Sequence, residues 1–125
     1  SYRGDDLVSI YGVMTGPGDY QGRHTIIVTI TWVNQSEANE PLSNAAKLTV
    51  TQDGSQLEMN YYTEPPLPQG YENMSFSRSV QPGVLAKATV SYVVEDPGQP
   101  VTVRLSSTYG SNDMVTKKMT PRKVE

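Results

Sequence analysis

Apolar and polar residues alternate with a period of two along most of this chain. The clearest case is the run His24-Thr25-Ile26-Ile27-Val28-Thr29-Ile30-Thr31-Trp32-Val33-Asn34. Ile26, Val28, Ile30 and Trp32 fall on one face of an extended segment. Thr25, Thr29 and Thr31 fall on the other, with Ile27 and Val33. Successive strand side chains point to opposite faces, and β-branched residues suit a pleated surface. The run therefore predicts a central strand of a half-buried antiparallel sheet.

The same alternation predicts strands over Leu7–Met14, Ala46–Gln52, Gln56–Tyr62, Asn73–Val80, Leu85–Val94 and Pro100–Ser107, with an edge strand at Met114–Met119. In the first of these, Val8 and Ile10 share one face, and Leu7, Tyr11 and Val13 the other. Turn chemistry separates the runs. Asp53-Gly54 suits a hairpin turn that needs positive φ at both central residues. In Gln81-Pro82-Gly83 the proline presets φ and the glycine is free to take positive values. Glu95-Asp96-Pro97-Gly98 turns the chain again. Three prolines in Glu64-Pro65-Pro66-Leu67-Pro68-Gln69-Gly70 lack the donors a ladder requires, which makes this a long irregular loop. No window holds a helical period, and no unit of 20–50 residues repeats.

Seven to eight short strands separated by turns predict an all-β, two-sheet antiparallel sandwich. Trp32 on an early inner face and Tyr92 on a late one fit an immunoglobulin-like core. A chain of 125 residues is one domain, with the core expected over about 7–108 and an edge strand or tail over 109–125. There is no cysteine, so no disulfide or thiolate chemistry is available. Burial alone must hold the sheets, at roughly 1.5–3 kcal/mol for each large apolar side chain fully covered.

The order Ile30-Thr31-Trp32-Val33-Asn34, Gln52-Asp53-Gly54 with Leu57, Gln81-Pro82-Gly83, Tyr92-Val93-Val94-Glu95-Asp96 and Pro100-Val101-Thr102-Val103 is distinctive. Over about residues 8–106 it resembles an uncharacterised immunoglobulin-like domain of secreted lipoproteins from Gram-positive bacteria. More distantly it resembles a small secreted mycobacterial antigen with an immunoglobulin-like sandwich. The resemblance implies export, usually behind a signal peptide and a lipid-modified cysteine. It supplies no catalytic or binding residues. The extracellular space or cell envelope is thus the expected location, and an N-terminal lipid anchor the expected route to a membrane.

Composition adds little to this. The 8 Tyr, 9 Pro and 10 Gly, with only 18% charged residues, favour export. The chain opens on Ser1 rather than Met, the expected mark of a processed start. Formal net charge is −3 with acids and bases interspersed, unlike the basic stripe of a nucleic-acid binder. Lys117-Lys118 with Arg122-Lys123 is the one basic cluster and reads as a solvated tail, with a polyanion contact as the alternative.

Catalytic chemistry is hard to assemble. His24 is the single histidine, reads as a surface residue at a strand start, and has no nucleophile elbow near it. The pairs Asp5-Asp6 and Glu95-Asp96 point to opposite faces if extended, so they suit turns and caps better than a calcium site or a glycosidic pair. Asn34-Gln35-Ser36 and Asn73-Met74-Ser75 match the glycosylation sequon, by chance if the source is bacterial.

The expected role is a non-catalytic binding or interaction domain without cofactor or metal. Its partner would be a protein or glycan at the cell surface, and its state a monomer or an edge-paired dimer. The candidate site is the aromatic and proline cluster of Tyr61, Tyr62, Pro65, Pro66 and Tyr71, because tyrosines on a stiffened loop bind at low entropic cost. Tyr11 and Tyr20 beside Gly16-Pro17-Gly18 form a weaker group. Trp32 ends an inward-facing apolar series, which suits a core residue better than a sugar platform. A carbohydrate-binding module with paired exposed aromatics is the alternative, and a carboxylate-dependent hydrolase a distant third.

Overall fold

A computed structural model describes residues 7–16, 18, 21–34, 37–41, 46–59, 79–107 and 113–123, by backbone alone at 7, 8, 107, 113 and 114. Every regular element in them is a strand: β1 (Leu7–Thr15), β2 (Thr25–Val33), β3 (Glu40–Pro41), β4 (Ala46–Gln52), β5 (Ser55–Gln56), β6 (Glu58–Met59), β7 (Ser79–Val80), β8 (Leu85–Val93), β9 (Val101–Ser107) and β10 (Asp113–Met119). One antiparallel sheet runs β1-β2-β8-β6, a second β10-β9-β4-β5, and β3 pairs with β7 in a short ladder. Both main sheets feed one core. Ile26, Val28, Ile30 and Trp32 from β2 meet Ala46, Val50, Val101, Val103 and Leu105 from the other layer, with Tyr92 from β8 among them. The sandwich is as expected; the described residues hold ten strands rather than seven to eight.

The extra strands have a local cause. The run expected as one strand from Gln56 divides at Leu57, whose N–H donates to the Val50 carbonyl at 2.8 Å. Gln56 pairs with Thr51 of β4, whereas Met59 pairs with Tyr92 of β8, so one extended segment passes from one sheet to the other. β3 lies in a stretch that reads as polar and irregular; its Glu40 pairs with Val80.

Faces follow the alternation except at one point. The β1–β2 register shifts between Ile10 and Gly12, so Ile10 opposes Ile30 and Val13 opposes Val28. This bulge puts Val13 on the core face with Ile10, not on the opposite one, and leaves Tyr11 52% exposed. On the outer face Thr25, Ile27 and Thr29 are buried as well, where half-burial was expected. The chain leaving β1 crosses here: a Cβ on Gly16 would lie 2.6 Å from Thr25 Oγ1 and 3.4 Å from an Ile27 carbon.

Two buried amides hold the crossings between layers. Asn34, wholly buried at the end of β2, donates through Nδ2 to the Ala38 carbonyl at 2.9 Å and the Val80 carbonyl at 2.8 Å. Its own carbonyl accepts from Gly83 N–H at 2.7 Å. Its nitrogen is therefore sealed against glycosylation. At the other end of the sandwich Gln52 donates through Nε2 to the Asp96 carbonyl at 2.7 Å and accepts from Asp96 N–H at 3.3 Å. The side chain pairs as a backbone amide would, and pins the β8–β9 connection. The Asp53-Gly54 turn has φ of 51° and 80°, as its sequence predicts.

The edge strand β10 carries an inverted residue. Val115, Lys117 and Met119 oppose Leu105, Val103 and Val101, all three wholly buried, so Lys117 occupies the core-facing side yet is exposed. A cation on that side makes a second sheet a poor neighbour, which is how edge strands avoid self-association. Lys117→Val is expected to raise self-association relative to the parent chain, read by sedimentation velocity across a concentration series. An unchanged distribution would show that this lysine does not guard the edge.

Candidate binding site

The tyrosine and proline cluster of Tyr61, Tyr62, Pro65, Pro66 and Tyr71 lies outside the described residues, and so does Tyr20. Tyr11 does not. It sits at the β1 bulge, beside an open depression of about 340 Å³ between β1 and the chain that follows β10. Tyr11, Gly12, Val13 and Met14 form one wall, and Met119, Thr120 and Arg122 the other.

Backbone pairing builds this cleft. Arg122 N–H donates to the Val13 carbonyl at 2.9 Å, and Thr15 N–H donates to the Arg122 carbonyl at 2.8 Å. The result is a parallel bridge between Met14 and Arg122 that ties the two sheets together at one edge. The bulge turns Tyr11 outward, and a Cβ on Gly12 would meet nothing within 4 Å, so the cleft stays open beside it. Met14 is buried and Met119 half-buried, giving a soft apolar lining; Arg122 is exposed and supplies a cation. Lys87 Nζ, on β8, stands 4.6 Å from the Tyr11 ring centroid, within cation–π range. The arrangement suits an elongated ligand with an apolar part and an anionic group.

Of the residues considered for catalysis, His24 and Glu95-Asp96 are described, and Asp5-Asp6 lie outside the described residues. His24 is exposed at the start of β2, and its carbonyl accepts from Val94 N–H at 2.9 Å. Asp96 Oδ1 accepts from Gly98 N–H at 2.9 Å, closing the turn expected there. Glu58 forms a surface ion pair with Arg23 at 3.2 Å. Among the described residues no three His, Asp or Glu side chains converge on a point where a metal ion could sit. Trp32 is 2% exposed and belongs to the core.

Sequence reasoning named Tyr11 but missed Met14, Met119, Thr120 and Arg122. They come from opposite ends of the chain and meet only through a parallel bridge, which leaves no trace in local alternation. The bulge was the one readable sign, because a glycine beside a tyrosine breaks the strand pattern.

The model of the family described as "Domain of unknown function (DUF5067)" matches residues 4–107. The chain belongs to this family. The DUF5067 match runs from before β1 to the end of β9, so the Tyr11 wall of the cleft lies within it and the Arg122 wall beyond it. No curated protein matches the chain. Among solved structures it is similar to one described as a "putative lipoprotein" from Staphylococcus aureus subsp. aureus NCTC 8325. That likeness has 12% identity, covers 100% of this chain and 97% of the other, and has a TM-score of 0.58. At that identity the likeness is one of fold.

Proposed function

We propose that this DUF5067 domain is a non-catalytic interaction module of the Gram-positive cell envelope, secreted or lipid-anchored. The observation that carries the reading is the open Tyr11–Arg122 cleft, which offers an aromatic ring, thioethers and a cation but no paired acid and base. The staphylococcal lipoprotein of like fold supports the location. Strand order supports the immunoglobulin-like part of the resemblance. Lettered along the chain, β1-β2-β8-β6 and β10-β9-β4 give the ABED and GFC sheets of immunoglobulin-type sandwiches.

The test is retention of the purified chain on washed Gram-positive envelope fragments. Tyr11→Ala combined with Arg122→Gln is expected to reduce retention several-fold with little change in melting temperature, because both side chains are exposed. Full retention by this variant would move the contact surface elsewhere. A carbohydrate-binding module is less well supported. It needs two exposed coplanar aromatics, and among the described residues the one exposed aromatic is Tyr11.

A further inference from the structure

We infer that the outer face of the β10-β9-β4 sheet binds a linear polyanion. The register of the three strands carries the inference. On that face Lys47 opposes Ser106, Thr49 opposes Arg104 and Thr51 opposes Thr102. Arg104 in turn opposes Thr116, and Thr102 opposes Lys118. Lys47, Arg104 and Lys118 therefore stand one strand over and two residues on from each other, a straight diagonal across the sheet. Diagonal neighbours of this kind are roughly 7–8 Å apart, so the three cations form an evenly spaced line. All three are exposed. Thr49 and Thr116 flank Arg104, while Thr51 and Thr102 lie beside Lys118, and their hydroxyls add donors for anionic oxygens.

The signs of these charges are unexpected in this chain. It holds 13 acids against 10 Lys and Arg, so a face chosen at random would be mixed or acidic. The described side chains of this face are Lys, Arg, Thr, Ser and Gln, and in register Asp113, opposite Ser106, falls diagonal to Arg104 at one corner. The Lys117-Lys118 cluster is thus part of a folded strand rather than a tail. A line of charges matches a chain of anions better than a planar one. An anionic bilayer would also favour an apolar side chain to insert, whereas among the described residues the exposed large apolar side chains, Tyr11, Val84 and Leu85, all belong to the opposite layer or its connections. The surface is separate from the cleft beside β1, so either can fail without the other.

The experiment is binding of the full chain to long-chain inorganic polyphosphate across a salt series. Orthophosphate at equal phosphate concentration and vesicles of 30% anionic lipid serve as further arms, the vesicle composition being about that of an acidic membrane. Polyphosphate is expected to bind, with affinity falling as salt rises. Lys47→Gln, Arg104→Gln and Lys118→Gln together should weaken it at least about tenfold and reduce the slope of log affinity against log salt by about 2. The triple variant should keep the parent melting temperature. No binding, equal binding by the triple variant, equal competition by orthophosphate, or equal affinity for the vesicles would overturn the proposal.

Discussion

Trp32→Ala is expected to lower the unfolding free energy by about 3–5 kcal/mol, measured by chemical denaturation. Trp32 is 2% exposed and stands in β2 opposite Ala86, with Ile30 beside it on the same inner face. Removing the indole would leave a cavity that β-sheet backbone, tied on both sides, can close only in part. Trp32→Phe should cost clearly less. It keeps an aromatic body and removes the indole N–H, which is buried without a hydrogen-bond partner among the described residues. As the only tryptophan in the chain, Trp32 also reports on itself, and its emission should be blue-shifted when folded and move to the red on unfolding. A loss for Trp32→Ala within about 0.5 kcal/mol, the range of exposed positions, would mean that it does not build the core.

Asn34→Ala carries the second large effect, a loss of about 2–4 kcal/mol. Each carbonyl stripped of its donor at a buried site costs roughly 1–3 kcal/mol, and two are stripped together, those of Ala38 and Val80. The change removes few apolar contacts, so a cost of this size would come from polar satisfaction rather than packing. Asn34→Asp should be worse near neutral pH, because a carboxylate would set negative charge against two carbonyl oxygens in a dry site. Hydrogen exchange should rise first at Gly83, whose N–H is held by the Asn34 carbonyl. A loss below about 0.5 kcal/mol for Asn34→Ala would show that the crossing from β2 to β3 is held by other means.

How much of this was readable beforehand varies by element. β2, β4 and β8 lie within a residue of their expected bounds, because each is a long alternating run flanked by turn residues. Asp53-Gly54 was legible for the same reason: a turn that needs two positive φ values accepts few residues, and both take them here. The reading went wrong at Val13, where the Tyr11 bulge inserts one residue and reverses every later side chain of β1. It also went wrong at Leu57, where an unbroken extended run serves two sheets. The candidate cleft was legible only in Tyr11, and the cation line only in Lys118, since Lys47, Arg104 and Lys118 look scattered until three strands are set in register.

Period and turn chemistry, written in neighbouring residues, by themselves determined that the chain is all strand, which side of most strands is apolar, and where the hairpins bend. These depend on single-strand geometry and on the few residues that tolerate a given turn. Tertiary structure alone decided which strands share a sheet, what Asn34 and Gln52 hold, where the Met14–Arg122 bridge opens a cleft, and which charges stand in line. Those outcomes depend on pairing between distant segments. A one-residue change of register alters every such neighbour while leaving the local pattern as it was.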